Sequence, residues 1–463
     1  MFQQFFTVFL LMGLACQGDA LFDWLWSWNG PADVTDPEVN MNATELITSK
    51  GYPCEEHAVT TDDGFILGLQ RIPHGRDETP IPPSNQTNGT QPARKRPVVF
   101  LQHGLLCSST NWLTNLANQS FAFILADAGF DVWLGNVRGN IYSLKHTHLS
   151  PESEEFWDFS WDEMAAFDLP AMVDHALAVS GQEQLYYVGH SQGSAMAFAE
   201  LSTNKELSEK IKMFFALGPV TTVGHMTSPL RYLSPYTSEI KFVLNLLGVK
   251  DFMPSSKVTE WLAADICSTS ADAWCENILF VLCGFDKSNL NETRLPVYLS
   301  HSPAGTSTQD MIHFAQMVSS GEFQKYDRGS KEENMARYNQ TTPPLYYPEH
   351  ITTPVSLYWG GKDWLADPED VKMLIPKLQN LQENNYIPQY DHLDFIWGTD
   401  APYWVYEPII ETIFKEEAKT EVKEKKEVKE KTKSSDAKVR NNHTVPRNNT
   451  AVDTEKLKNE FNL

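Results

Sequence analysis

Gly189-His190-Ser191-Gln192-Gly193 sets a serine inside G-x-S-x-G. That pattern puts a serine on a tight strand-to-helix turn with its hydroxyl exposed. Glycines flank the serine because neighbouring chain crowds the turn and leaves no room for a Cβ. Ordinary Gly and Ser usage supplies on the order of 0.1 such matches by chance in a chain this long, so the flanks decide. Leu185–Val188 is a short apolar run that reads as a strand, and Ser194–Leu201 reads as a helix. A serine nucleophile needs a base to take its proton and a carboxylate to orient that base. On an elbow of this kind the acid and then the histidine follow the serine along the chain.

Two aspartates compete for the acid. Asp367 precedes Pro368, with Asp370 three positions on, which is the pattern of a helix start: N-cap, proline at N1, acid at N3. Asp363 stands in the glycine-rich turn after the strand-like Pro354–Trp359 and is the better catalytic candidate. His392, late in the folded body, is the histidine that satisfies the order. His103 and His190 precede the acid, and His301, His313 and His350 fall elsewhere. Two backbone N–H groups must meet the developing oxyanion. One belongs to Gln192. The other belongs to the loop after an early strand, where His103-Gly104-Leu105 follows Pro97–Gln102.

The elements that must position these groups alternate. Pro97–Gln102, Asp131–Leu134, Leu185–Val188, Ile211–Leu217 and Pro354–Trp359 read as strands separated by helical stretches, which implies an α/β fold with a mostly parallel sheet. Between 222 and 345 the alternation is lost. That stretch reads as an inserted, mainly helical cap, whose apolar segments 241–253 and 278–283 form either plain cap core or a lid and groove for an apolar ligand. The organisation expected is a signal peptide over 1–20, core over 21–221, cap over 222–345, core again over 346–414, and a charged tail over 415–463. Residues 76–96 read as an exposed loop. The Lys/Glu-rich tail has too little to bury and reads as a solvated helix or a disordered segment.

Phe5–Ala15 is the apolar core of an export signal, with small residues at Gly18-Asp19-Ala20 for cleavage. It falls short of the ~20 residues that span a bilayer, and no later run is longer, so no transmembrane helix is expected. Sequons at Asn42, Asn85, Asn88, Asn118, Asn291, Asn339, Asn442 and Asn448 agree with passage through the secretory lumen. Of six cysteines, Cys16 leaves with the signal. The odd number remaining leaves at least one thiol free or paired with another chain, and the close trio places a bridge at Cys267–Cys275 or Cys275–Cys283. No Cys or His spacing suits zinc, and the isolated pair His146 and His148 reads as a loop feature, so no metal or cofactor is expected. The net charge is −23. Residues 415–463 carry a net +3, which leaves −26 on the body. Such a surface repels nucleic acid and loses much of its self-repulsion in acid.

Longer segments carry a resemblance. They include Gly51-Tyr52-Pro53-Cys54-Glu55-Glu56-His57 with Thr61–Phe65, and Gln102–Leu106 followed by Asn111-Trp112. Further along come Gly135–Asn140, Trp161–Met164, His301–Ser307, Gly360–Asp367 and His392–Trp397. Together they resemble the acid lipases, the α/β-hydrolase family that includes gastric and lysosomal acid lipases, over roughly 36–413. The resemblance implies a Ser191–Asp363–His392 triad, oxyanion N–H groups from Leu105 and Gln192, a mobile lid, a Cys267–Cys275 bridge and a free Cys283. It implies hydrolysis of triacylglycerols or cholesteryl esters at a lipid–water interface, in the lysosomal lumen or outside the cell. Val137, Cys107 and the 415–463 tail depart from the family pattern, and none touches the inferred triad. The alternative is a non-catalytic lipid carrier on the same fold. A lost triad member would mark it, and all three are present.

Overall fold

The computed structural model describes residues 36–77, 96–228, 231–232, 234, 251–252, 283 and 287–441. Eleven strands occur among them: β1 (Glu55–Thr60), β2 (Phe65–Ile72), β3 (Val98–Gln102), β4 (Asp131–Gly135), β5 (Lys145–His146), β6 (Leu185–His190), β7 (Ile211–Leu217), β8 (Asp251–Phe252), β9 (Thr306–Ser307), β10 (Val355–Gly360) and β11 (Leu381–Ile387). Nine of them form one sheet in the order β1-β2-β4-β3-β6-β7-β10-β11, with β5 paired to β2. From β4 to β11 every pairing is parallel. β1, β2 and β5 add an antiparallel edge, and β2 meets β4 antiparallel.

The parallel strands β3, β4, β6 and β10 are buried along their whole length. A parallel sheet covered on both faces needs near-continuous apolar runs, which is why these segments stood out in the sequence. The helix Gln192–Thr203, directly after β6, is buried from Gln192 to Ala199, so it lacks a polar face. Phe100, Tyr187, Phe198, Phe214 and Leu357 pack into one large core cluster with residues of the flanking helices.

β3 runs out to β4 on one side, and the chain later returns to lay β6 on β3's other side. This is a reversal of strand order. In open parallel sheets the crevice beyond the carboxyl ends of strands at such a point is where ligands bind. Ser191 follows β6 and His103-Gly104 follows β3, so both elements of interest emerge there.

The described parts of 222–345 include the helices Leu295–His301, Thr308–Ser320 and Lys331–Tyr338 and the β8–β9 pair. Val223, Met226, Met317 and Phe323 from this stretch join the same core cluster as the sheet. The expected signal peptide, Cys267, Cys275, most of the 241–253 and 278–283 segments and most of the 76–96 loop lie outside the described residues. So do Asn85, Asn88, Asn442 and Asn448. Asn42, Asn118 and Asn339 are exposed, and Asn291 is partly so. Cys54, Cys107 and Cys283 are free thiols. The chain divides into two units at Ile409/Ile410, and a single helix, Glu407–Asn441, runs into the second. Among the described residues no helix is long and apolar enough to cross a membrane.

Candidate active site

Ser191 has φ 54° and ψ −119°, an unfavourable backbone for any residue with a Cβ. Its surroundings hold it there. Ser191 N–H donates to Leu217 O at 3.0 Å, and the buried Ser194 hydroxyl donates to Ser191 O at 2.6 Å. Ser194 Oγ in turn accepts from Val220 N–H at 2.9 Å. The two elbow glycines are required by space. A Cβ on Gly189 would lie 2.6 Å from Gly193 O, and one on Gly193 would lie 2.6 Å from Gln102 O.

Asp363 and His392, 29 residues apart, meet at the carboxyl end of β10. His392 Nδ1 lies 2.8 Å from Asp363 Oδ2, and both residues are buried. The other carboxylate oxygen, Asp363 Oδ1, accepts from Leu365 N–H at 2.9 Å and Ala366 N–H at 2.8 Å. Those two bonds fix the carboxylate plane. Gly218, at φ 54°, packs on the pair, for a Cβ there would sit 3.2 Å from the His392 ring and 3.4 Å from Asp363 Oδ2. Asp367 does what its sequence context indicated. Its side chain caps the helix Pro368–Leu374 by accepting from Glu369 N–H at 2.9 Å, and burial pushes its pKa up. Asp370, at N3, instead ties the segment after β7 through Thr222 Oγ1 and His225 N–H.

The loop after β3 presses on the nucleophile. A Cβ on Gly104 would lie 3.0 Å from Ser191 Cβ. Among the described residues neither the Leu105 nor the Gln192 N–H donates to a protein acceptor. Leu106 is in the left-handed region at φ 61°, strain of the kind that clusters at functional sites. Beneath the loop, His103 Nε2 accepts from Val137 N–H at 3.3 Å and from the Asn140 amide at 3.1 Å. The proton is therefore on Nδ1, which donates to Gly104 O at 2.8 Å. Burial pushes the His103 pKa down to about 4, so it stays neutral well into acid. The Val137–Asn140 segment is anchored by Arg138, which is buried on Asp168 and paired with Asp63. Sequence order set His103 aside as a base, and the structure gives it this bracing contact instead.

Three further histidines have local partners among the described residues. His301 meets Glu38 O, His313 meets Ser160 Oγ and Gln324 O, and His146 meets Asp63 O. Among the described residues no group of three or more His, Cys, Asp or Glu side chains is arranged to hold a metal.

Two family models match the chain: a partial alpha/beta-hydrolase lipase region over residues 43–116 and the alpha/beta hydrolase fold over 97–399. Gastric triacylglycerol lipase of Rattus norvegicus is 51% identical over 376 residues, covering 81% of this chain and 92% of the relative. The chain belongs to the acid lipase family. The human lysosomal acid lipase/cholesteryl ester hydrolase is 48% identical over 387 residues, covering 83% of this chain and 94% of that acid lipase. Human lipase member K is 47% identical over the same length, with the same coverage.

Proposed function

We propose that the chain is a serine-dependent lipase that cleaves carboxylic esters of neutral lipids, triacylglycerols or cholesteryl esters, in the lysosomal lumen or outside the cell. Ser191 attacks the ester carbonyl. His392 takes the hydroxyl proton and returns it to the leaving alcohol, while Asp363 holds the His392 ring in the tautomer that can do so. Leu105 and Gln192 N–H groups receive the negative charge that forms on the carbonyl oxygen. Water then releases the acyl group by the same steps, and no cofactor takes part.

The observation that carries this reading is the His392 Nδ1–Asp363 Oδ2 bond at 2.8 Å, buried at the sheet edge where the strained Ser191 emerges. Support comes from the names of the relatives, each a lipase or an ester hydrolase. The test is hydrolysis of a long-chain triacylglycerol and a cholesteryl ester from about pH 4 to 8. Ser191→Ala should lower kcat by about 10⁴-fold or more. Near-normal turnover in that variant would remove Ser191 from the reaction. Binding of both esters with hydrolysis of neither would make the chain a lipid carrier.

A further inference from the structure

We infer that His190, the residue before the nucleophile, is a positioning residue that fixes where His392 presents its ring to Ser191. The inference rests on the Ser191–Asp363–His392 reading above.

His190 is buried, and its Nε2 lies 2.9 Å from the main-chain O of His392, 202 residues away. A carbonyl can only accept, so Nε2 carries the proton and donates. The two imidazole rings pack with centroids 4.8 Å apart and planes inclined by 42°. The other ring nitrogen, Nδ1, is buried without a hydrogen-bond partner among the described residues, and it faces Gly104, where a Cβ would come within 3.1 Å. One side chain thus touches the oxyanion loop, the base loop and, through the chain, the nucleophile.

Two features separate this from a histidine that only fills space. First, among the described residues the His392 backbone has one other anchor, a 3.4 Å bond from its N–H to Cys283 O, so the 2.9 Å bond from His190 is its shorter tether. The Asp363 bond sets the tilt of the His392 ring but not the height of its backbone. Second, His190 is kept from competing for the proton. Burial pushes its pKa down to about 3, and the charge of His392, with that of His103, pushes the same way. When His392 becomes a cation mid-reaction, His190 stays a neutral donor to the same loop. A misplacement of about 1 Å in such a base can cost on the order of 10²-fold in rate, so the tether acts on kcat rather than on substrate binding.

The test compares His190→Met, which fills a similar volume but cannot donate, with His190→Gln, whose amide N–H has similar reach. Four quantities are measured in the full chain: kcat and KM on a short-chain triacylglycerol emulsion, the rate of inactivation by a serine-directed phosphonate, and Tm. His190→Met should lower kcat and phosphonylation together by about tenfold or more, with KM within about twofold. His190→Gln should recover most of both. Wild-type kcat and phosphonylation in His190→Met would overturn the inference, as would a fall in His190→Gln as deep as in His190→Met. If His190→Met does not fold, His190→Asn, whose amide stops short of the carbonyl, takes its place with the same outcomes. Ser191→Ala is assayed alongside. Wild-type turnover there overturns the triad, and this inference with it, whereas a dead Ser191→Ala beside an unaffected His190→Met overturns the tether alone.

Discussion

At Asp363 the two carboxylate oxygens have different work, and that difference makes a sharp prediction. Oδ1 accepts two backbone N–H bonds, from Leu365 and Ala366, and Oδ2 faces His392 Nδ1. In Asp363→Asn the amide oxygen must keep the two backbone donors, which leaves the NH₂ facing His392. The ring then turns its lone pair to position 363 and its proton toward Ser191, the tautomer that cannot act as a base. The expected loss is about 10⁴-fold in kcat with KM little changed, the scale seen for this substitution in a serine protease triad. A kcat within tenfold of wild type would mean that His392 does not take its proton from Ser191 in this way. The sequence named Ser191, Asp363 and His392 because an elbow, a glycine-rich turn and chain order leave local marks. It passed over His103 and His190 because their partners, Val137, Asn140 and His392, lie 34 to 202 residues away. Their one local signal was adjacency to the glycines of the two loops.

Among the elements, the buried parallel strands were legible from their unbroken apolar runs, within a residue or two at each end. β1 and β11 were not. Their exposure alternates along polar-rich sequences, Glu55–Thr60 and Leu381–Ile387, because each has an edge position with only one neighbour to bury against. A second feature invisible from spacing is the joint between the 158–168 segment and the helix Thr308–Ser320. Asp310 is fully buried there and accepts from Trp161 N–H and the Thr306 hydroxyl, while Asp162 accepts from Tyr326 N–H and the Tyr346 hydroxyl. Burial raises the pKa of Asp310 to about 7 and that of Asp162 to about 6. A carboxyl raised in this way stabilises the fold fully below its ordinary value near 3.8. That contribution is lost as pH climbs through 7. His103 and His313, both lowered to about 4, act in the opposite sense, losing stability as pH falls below 6.5. The absolute pH profile therefore sums opposing contributions, and the informative quantity is a difference. Asp310→Asn mimics the protonated acid, keeping an acceptor for Trp161 and a donor for Thr306. Its Tm relative to wild type should be higher at pH 7.5 than at pH 5, by several degrees. An unchanged difference between the two pH values would show that Asp310 does not titrate in this range.

On the scale of the molecule, charge is the property most unevenly spread. The body carries −26 and the tail from 415 onward a net +3. Carboxylates that repel one another at neutral pH lose charge together in acid, which weakens the repulsion of such a body from an anionic lipid surface. The sequence left the tail open between a solvated helix and a disordered segment. The helix Glu407–Asn441 occupies its first part, with exposed pairs Lys415–Glu411 and Lys419–Glu416 on its surface. Exposed pairs of this kind contribute only a few tenths of a kcal/mol each. The matched family regions end at residue 399, and every group assigned to the chemistry lies at or before His392. Termination after Thr420 should therefore leave kcat/KM on an emulsified triacylglycerol within about twofold of the full chain. A loss of tenfold or more, with Tm unchanged, would assign the tail a part in meeting the lipid surface. The salt dependence of that loss would then tell whether the Lys-rich stretch acts through its charge, since an electrostatic contact weakens as the Debye length shrinks from about 10 Å at 0.1 M to about 3 Å at 1 M salt.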